Sequence, residues 1–340
     1  MKILLFSLPF FPSIGGTETV SRVLATEFVQ AGHDVCVLTD TPGAQDDDRF
    51  PFRVVRCAPP HALLREVKWC DVFFHNSMSL RKAWPLLVFR RPWVIAHQTW
   101  LAEAGRKSLK SRIKLLAVRA ATSISISSAI ANRLDSPSVV IGNPYDETLF
   151  RVAPEIERKS DLLFVGNLGR VKGVDVLLRA LGTLWSRNVQ VHLTIVGGGP
   201  DAEYLRGLTG ELGLVDAVTF TGPLRGDSLM REYNRHSILV IPSRWDEPFG
   251  VIAVEGIACG CVPIGTANGG LPDAIGCCGM VVPNGDVEAL AEKIEFALTR
   301  ADLSVFRAAA PEHLKKHHGK AVADAYLQLM QGVVESHRRS

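Results

Sequence analysis

The most constraining feature of the sequence is an alternation of short apolar runs with longer amphipathic segments. In the first half, residues 17–31 carry apolar side chains at helical spacing and end at Gly32, a typical helix stop. The runs 3–8, 35–38, 54–56, 72–75 and 94–97 have the length and composition of buried strands. Strands that alternate with helices form parallel sheets covered by helices. We therefore predict an α/β fold.

The alternation restarts after a polar, proline-containing stretch at residues 151–160. Strands are predicted at 162–165, 191–196, 218–220, 237–241, 262–265 and 280–282, and helices at 174–185, 204–212 and 320–334. With 340 residues, the chain has the length of two domains of about 150 residues each. We predict two consecutive doubly wound, Rossmann-like domains: residues 1–152, completed by the C-terminal helix 318–340, and residues 153–317.

Positive charge is concentrated in one part of the first domain. The net charge of +3 is too small to indicate a nucleic-acid partner, but residues 81–119 contain ten basic residues and one acid, Glu103. Six of the basic residues decorate a predicted helix whose Leu109, Ile113 and Leu116 share one face: Arg106, Lys107, Lys110, Arg112, Lys114 and Arg119. This is either a solvated helix face or a contact for an anionic surface, such as phospholipid headgroups or a pyrophosphate-linked acceptor.

The sequence indicates a soluble protein, peripheral to a membrane at most. The opening apolar residues 1–12 are not followed by a small-residue cleavage site. None of the seven cysteines forms the C-x2-C spacing of a zinc site, which favours a reducing cytosol. We expect a cytoplasmic protein, with peripheral attachment to the inner face of the cytoplasmic membrane left open.

Glycine turns follow the first strand of each predicted domain. Gly15 and Gly16 open a helix, where a close backbone approach and unpaired amides favour a phosphate, although a bare turn is an equally good explanation. Residues 164–173 place a strand, a turn and the cations Arg170 and Lys172 before a helix, an arrangement that suits a pyrophosphate.

Two glutamates follow a later strand of the second domain. Glu247 precedes a predicted helix and Glu255 lies about two turns into it, within the segment 243–255. A glutamate inside so apolar a run is costly to bury unless its oxygens are hydrogen-bonded, and a ribose diol would satisfy them. The turn Asn268-Gly269-Gly270 follows the next strand.

Two further features need weighing. His97 ends an apolar strand at the carboxyl edge of a parallel sheet, where ligands of α/β proteins bind, so it is a candidate hydrogen-bond partner of the substrate.

Residues 46–48 contain a D-x-D sequence, which could hold a metal ion but is better explained as a solvated acidic loop.

These motifs together resemble a family-4 retaining glycosyltransferase. The likeness rests on Glu247 and Glu255 with seven residues between them, and it continues in order along nearly the whole chain. The further matching segments are GGTE near the start, His97, GNPYDETLF at 142–150, 166–173, VGGGP at 196–200, TFTGPL at 219–224 and GGLPD at 269–273. The resemblance implies the GT-B fold, in which two Rossmann-like domains face a central cleft.

The resemblance also implies roles for individual residues. Glu255 would bind the donor ribose, and Glu247 would hold the sugar hydroxyls and diphosphate together with the backbone amides of Phe249, Gly250 and Val251. Lys172 would neutralise the leaving diphosphate, Gly16 would approach it from the other domain, and His97 would lie beside the transferred sugar. Residues Gly222, Pro223 and Leu224 would pass the nucleobase.

One departure from the family pattern concerns the diphosphate. Asn167 stands where the family usually has an arginine, and Arg170 could substitute from the same turn. With Lys172 present, we expect neither a metal ion nor another cofactor, and retention of the anomeric configuration follows from the resemblance.

The implied activity is transfer of a hexose-type sugar from a UDP- or GDP-linked donor to a glycan or lipid-linked acceptor. Such a step would serve exopolysaccharide, capsule or lipopolysaccharide biosynthesis. Two alternatives remain open: a non-catalytic nucleotide-sugar-binding protein, and another GT-B enzyme such as a sugar-nucleotide epimerase. A phosphorylase would need a pyridoxal-phosphate lysine, for which the sequence has no signature.

Overall fold

The computed structural model describes residues 1–13, 15–43, 49–101 and 109–339. It divides into two compact units, Met1–Tyr145 with His317–Ser340 and Asp146–Lys316. The domain boundaries predicted from the sequence, residues 152 and 317, lie close to these divisions. Each unit is built around its own parallel sheet.

The first unit alternates strands and helices from its first residues. Its strands are β1 (Lys2–Ser7), β2 (Asp34–Thr39), β3 (Arg53–Arg56), β4 (Val72–Asn76), β5 (Trp93–His97), β6 (Thr122–Ser125) and β7 (Ser138–Val140). Its helices are α1 (Gly16–Gln30), α2 (Pro60–Trp69), α3 (Leu80–Ala83), α4 (Leu109–Arg119), α5 (Ser128–Ala131) and α13 (Gly319–Arg339), with a 3-10 turn at Trp84–Leu87.

The described strands of this unit form one sheet in the order β3-β2-β1-β4-β5-β6-β7, and every pairing is parallel. The chain order reverses between β1 and β4, and ligands of such sheets bind outside the carboxyl ends of the strands at that point. The central strands are apolar and buried on both faces, since helices cover both sides of a parallel sheet.

The C-terminal helix α13 packs back onto the first unit. Tyr326 of this helix lies edge-on to Phe74 of β4, with ring centroids 5.4 Å apart. Gly319 at its start lies against Val23 of α1, where an added β-carbon would come 2.9 Å from the valine side chain. The last amphipathic segment of the sequence therefore belongs to the first unit.

The second unit repeats the same alternation. Its strands are β8 (Lys159–Val165), β9 (Leu193–Val196), β10 (Val218–Gly222), β11 (His236–Ile241), β12 (Val262–Thr266) and β13 (Met280–Val282). Its helices are α6 (Val174–Ser186), α7 (Ala202–Glu211), α8 (Gly226–Arg235), α9 (Val251–Ala258), α10 (Leu271–Ile275), α11 (Val287–Thr299) and α12 (Leu303–Lys315). Short 3-10 turns occur at Arg170–Lys172, Val215–Ala217 and Gly276–Cys278.

The second sheet has the order β10-β9-β8-β11-β12-β13, again with parallel pairings, so its switch point lies between β8 and β11. Its core joins apolar residues of the strands to the buried faces of α6 and α11, among them Leu162, Leu177 and Ile294. Among the described residues of both units, no helix combines the length and apolar character needed to cross a membrane.

Some elements differ from the sequence-based expectation. β6 and β7 were not predicted, because β6 is mostly serine and threonine and β7 has only three residues, too few for a pattern. On α4, the expected apolar face is not buried: Ile113 and Leu116 are exposed to solvent. Arg106 and Lys107 lie outside the described residues, and the side chains of Lys110 and Arg112 are likewise not described.

Candidate functional site

The switch point of the second sheet brings two of the predicted motifs together. The turn after β8 leads into Arg170–Lys172 and α6, and the loop after β11 leads through residues 242–250 into α9. Because β8 and β11 are hydrogen-bonded neighbours, both segments leave the same edge of the sheet. This is the edge at which doubly wound sheets bind ligands.

Gly173 holds these two segments in contact. It has φ +67° and begins α6, and a β-carbon added to it would lie 2.0 Å from the Pro242 carbonyl oxygen. The backbone amides of Arg244 and Trp245 donate to the Val171 carbonyl at 2.9 and 3.2 Å. The cation-bearing turn is therefore fixed against the loop that carries Glu247.

Lys172 and Glu247 form an ion pair at this edge. The Lys172 ammonium donates to Glu247 Oε1 over 2.6 Å, and the Ser243 hydroxyl donates to the same oxygen over 2.6 Å. Glu247 is buried, and its lysine partner is half-buried. One carboxylate oxygen is thus held by two donors, which orients the group and presents a cation beside it.

The glycine turn at Asn268-Gly269-Gly270 supports the backbone of Glu247. Gly269 has φ +71°, and a β-carbon there would lie 2.4 Å from the Glu247 carbonyl oxygen. The Gly270 amide donates to that same oxygen over 2.7 Å. The third motif of this domain is therefore part of the arrangement that positions Glu247.

The helix α9 begins directly after this loop. Gly250 is the residue before its first turn, and Phe249 is buried. The Ala253 amide donates to the Gly250 carbonyl, so the amides of Val251 and Ile252 precede that first helical hydrogen bond. The start of a helix carries partial positive charge and favours an anion.

Glu255 lies on the same helix and is half-buried. The buried Tyr233 hydroxyl on α8 donates to Glu255 Oε2 over 3.1 Å. Burial raises the pKa of Glu255 to about 7; the tyrosine hydrogen bond lowers that pKa and the nearby Asp146 raises it. Burial is the main cause that holds the pKa of Tyr233 well above its usual value, and the neighbouring Glu255 carboxylate is the second. The phenol therefore keeps its proton and stays a donor.

Arg170 lies at a small cavity beside the start of α6. Arg170 lines a cavity of about 210 Å³ together with Asp175, Asp201 and Tyr204, and neither Glu247 nor Glu255 lines it. Asn167 is exposed on the turn after β8. Lys172 does not line this cavity either.

The predicted base-binding segment ends the neighbouring strand β10. The Gly222 carbonyl accepts from the Gly197 amide over 2.9 Å, which ties the end of β10 to the glycine turn after β9. Pro223 and Leu224 follow, the first exposed and the second half-buried. These residues lie at the same edge of the sheet as the turn after β8.

In the first unit, His97 ends β5 and is buried. Its Nε2 lies 3.1 Å from the Ser123 hydroxyl of β6. Burial lowers the pKa of His97 to about 4, so the ring is neutral near pH 7. His97 also lines a small cavity of about 50 Å³, whose other lining residues include Ser77, Gln98 and Lys114.

A polar network lies beside His97 at the carboxyl ends of the strands. The Gln98 side chain donates to Asn76 Oδ1 and Asn143 Oδ1 over 2.8 and 3.0 Å, and the Asn143 amide donates back over 2.8 Å. Asn76 in turn donates to Ser21 on α1 over 2.6 Å. Gly16, the first residue of α1, is exposed at this edge of the sheet, following Gly15.

Two residues of the arrangement were not among the predicted site residues. Ser243 lies in the motif that was singled out, four residues before the glutamate it contacts, so its spacing was an available signal. Tyr233 lies 22 residues before Glu255 on a different helix, and no local pattern indicates their contact.

The D-x-D sequence lies outside the described residues. Among the residues that the structure does describe, no group of three or more His, Cys, Asp or Glu side chains is arranged to hold a metal ion.

Comparison with solved structures identifies the architecture. The Anabaena protein HepE, solved in complex with UDP and glucose, superposes with a TM-score of 0.81 at 19% identity, covering 98% of this chain and 100% of that one. A sucrose-phosphate synthase from Thermosynechococcus elongatus gives a TM-score of 0.76 at 21% identity, covering 98% and 99%. The chain has the GT-B fold of glycosyltransferases.

Sequence comparison finds similarity mainly in the second unit. Residues 146–312, just under half of the chain, match the family described as glycosyl transferases group 1. A D-inositol 3-phosphate glycosyltransferase of Corynebacterium jeikeium is 35% identical over 176 residues, 49% of this chain and 42% of that protein. One from Mycolicibacterium gilvum is 34% identical over 203 residues, 57% of this chain and 45% of that protein. The matches span less than half the length of these curated relatives.

Proposed function

We propose that this protein is a retaining glycosyltransferase that moves a hexose-type sugar from a nucleotide-diphosphate donor to an acceptor hydroxyl. The observation that carries the proposal is the pairing of Lys172 with Glu247 over 2.6 Å at the switch point. This pair lies just before helix α9, which carries Glu255. In a nucleotide-sugar donor, a cation and a helix start can bind the diphosphate. Two carboxylates can accept hydrogen bonds from the hydroxyls of the sugar and the ribose.

We assign the donor groups as follows. Glu255 accepts hydrogen bonds from the ribose hydroxyls, for which its pKa of about 7 leaves it ionised above neutral pH. Lys172 moves part of its hydrogen bonding from Glu247 to the diphosphate, and the amides at the start of α9 bind the same phosphates. Glu247 then holds the sugar hydroxyls, with its other partner Ser243 still in place.

Catalysis in this proposal is electrostatic. The bond between the anomeric carbon and the diphosphate oxygen breaks, the acceptor oxygen bonds to that carbon on the same face, and the acceptor proton passes to the departing diphosphate. Lys172 and the helix amides stabilise the developing negative charge, which is commonly the largest contribution to such catalysis. We propose that these groups suffice without a metal ion, and that neutral His97 hydrogen-bonds the transferred sugar.

For the donor we favour a UDP-sugar over a GDP-sugar, because HepE was solved with UDP. For the acceptor we propose a glycan or a lipid-linked sugar, in polysaccharide or lipopolysaccharide synthesis. The inositol phosphate named for the curated relatives is the second candidate, since Lys114 lines the cavity beside His97 and would favour an acceptor that carries a phosphate.

The test begins with thermal stabilisation by UDP, GDP and ADP and by the glucose derivative of each. A ligand that binds only the folded state raises the melting temperature according to its concentration relative to Kd. We expect UDP and UDP-glucose to stabilise the protein most. Absence of stabilisation by any nucleotide would refute the donor assignment.

Turnover separates the enzyme from its alternatives. With labelled UDP-glucose, we expect slow hydrolysis and faster transfer to acceptor, with an α-linked product, and the same rate in EDTA. A non-catalytic binding protein would leave the donor intact, and an epimerase would release an epimerised sugar. Loss of activity in EDTA, restored by Mn²⁺, would contradict metal independence.

A further inference from the structure

A groove of the first unit lies away from the strand ends that carry His97 and Gly16. It has a volume of about 1020 Å³ and is bounded by Trp93 and Thr122, the first residues of β5 and β6. His97 is the last residue of β5, so the groove lies toward the amino ends of these strands, opposite to the carboxyl edge. It is therefore separate from the predicted sugar site.

The groove is lined mainly by apolar side chains from three parts of the chain. Leu87 comes from the turn after α3, Ile113 from α4, and Leu329 and Val333 from α13. Several of these apolar residues face solvent: Leu87 is 89% exposed and Ile113 is 48% exposed. Beside them, Leu116, three residues after Ile113, is 64% exposed. Contiguous exposed apolar surface of this kind marks interaction sites.

The rim of the groove is basic. Arg90 and Arg91 line it next to Leu87, and His337 lines it at the end of α13. Arg338, which pairs with Asp71 over 3.7 Å, and Arg339 follow. The His337 ring donates to the Arg90 carbonyl oxygen over 2.9 Å, which joins the end of α13 to the arginine segment. Among the described residues that line the groove there is no aspartate or glutamate.

An apolar groove with an arginine rim fits an anionic amphiphile. A second copy of this chain would fill the apolar surface, but a symmetric contact would bring two arginine rims together. No aspartate or glutamate among the described lining residues would oppose them. A phospholipid has apolar chains that can fill the groove and a phosphate that can pair with the arginines of the rim. A bilayer presents many such molecules at one surface, so weak individual contacts add up.

We propose that this groove docks the protein onto an anionic phospholipid bilayer, with a lipid acyl chain entering between Leu87 and Ile113 and the lipid phosphate held by Arg90 and Arg91. From the sequence, the basic region 81–119 is either a solvated face or an anionic contact. The groove adds α13 to that region and provides an apolar space for the acyl chain. Since the groove lies at the amino ends of the strands, this lipid serves attachment and is not the acceptor. The proposal is independent of the sugar-transfer assignment.

The experiment is flotation of the full chain with phosphatidylcholine vesicles, with and without phosphatidylglycerol. We expect binding to the anionic vesicles that weakens with added salt. Leu87→Ser lowers the partition coefficient by about tenfold through lost apolar burial. Arg90→Gln lowers it by about fivefold, the effect of one basic residue near an anionic surface.

Matched controls come from the second unit. Val215 is 67% exposed, and Arg231 is an exposed arginine on α8. Val215→Ser and Arg231→Gln remove the same kinds of groups and leave binding unchanged. Both groove variants concern exposed side chains, and a cooperative thermal unfolding transition at the wild-type temperature shows that each variant folds.

Phospholipids brominated on their acyl chains test chain entry directly, because they quench tryptophan fluorescence only at close range. We expect quenching that falls in Trp84→Phe, since Trp84 lines the groove. Binding without quenching would overturn the acyl-chain part of the proposal. Absence of vesicle binding, equal binding by Leu87→Ser, or Leu87-dependent dimers without vesicle binding would overturn the whole.

Discussion

Replacing Tyr233 with phenylalanine tests whether Glu255 works as an ionised acceptor for the nucleotide. The phenol donates to Glu255 Oε2 over 3.1 Å, and the pKa of Glu255 is about 7 with that bond in place. Tyr233→Phe removes one oxygen and leaves the ring, which packs against Phe150 with centroids 5.7 Å apart. The variant therefore changes the hydrogen bond with little change in packing.

The magnitude follows from the strength of the lost bond. A hydrogen bond to a charged group contributes about 1.5–3 kcal/mol. Since one pKa unit corresponds to about 1.4 kcal/mol, its loss raises the pKa of Glu255 by about one unit or more. Asp146 and the buried thiol of Cys259 also lie near Glu255, and burial raises the pKa of Cys259 so that its thiol stays neutral.

The consequence for binding depends on pH. At about pH 7 the ionised fraction of Glu255 falls from about one half to about one tenth, so UDP binds about fivefold more weakly to the variant. At about pH 9 both proteins are largely ionised and their affinities converge. Isothermal titration of UDP across this range measures the ratio of the two Kd values, in which titration of UDP itself cancels.

A matched control is Tyr326→Phe, which removes a buried hydroxyl with no hydrogen-bond partner among the described residues of the first unit. It should leave the UDP affinity unchanged at every pH. A loss of affinity in Tyr233→Phe that is the same at all pH values would show that the tyrosine only supports the fold. No loss at neutral pH would refute the role of Glu255 ionisation.

The remaining predictions concern the same edge of the second sheet. Because the pKa of Glu255 is raised from 4.5 to about 7, its stability contribution is present below pH 4.5 and lost as the pH rises through 7. Glu255→Gln should therefore stabilise the ligand-free protein by about 1–2 kcal/mol at about pH 8 and hardly at all at about pH 4 in urea unfolding, while UDP binding weakens; equal stability at both pH values would contradict this. Gly269→Ala and Gly285→Ala both place alanine at φ above +70°, at a cost of about 1–2 kcal/mol, but only Gly269 has the Glu247 carbonyl in the way. We expect a larger fall in melting temperature and lost sugar transfer for Gly269→Ala alone; equal effects would show that the turn does not position Glu247. Lys172→Ala should lower kcat by about 10²–10³-fold, the effect of removing one preorganised donor, and Arg170→Ala by much less; a reversed order in transfer kinetics would make Arg170 the diphosphate cation.

Much of the fold could be predicted because the strands of each domain are short apolar runs that are visible in the local sequence. The runs at 3–8 and 162–165 are apolar on both faces, as strands of a covered parallel sheet must be, and the structure has β1 and β8 there. β6 was missed because Thr122, Ser123 and Ser125 pair with β5 through the backbone, which no side-chain pattern records.

The site was predictable where its contacts are local in sequence. Ser243 and Glu247 are four residues apart, and the glycines that support them stand beside strand ends. The Tyr233–Glu255 contact and the orientation of His97 toward Ser123 depend on how separate elements pack. The groove depends even more on packing, and the sequence did not predict it. It is lined by residues from 80–93, 113–122 and 328–337, which meet only in the folded unit.

The most direct test of the central claim is a crystal structure of the protein with UDP. We predict that the Glu255 carboxylate accepts hydrogen bonds from both the ribose hydroxyls and Tyr233. We also predict that the Lys172 ammonium contacts the diphosphate near the start of α9. A nucleotide bound elsewhere, with Lys172 still paired only to Glu247 and Glu255 contacting only Tyr233, would contradict the claim.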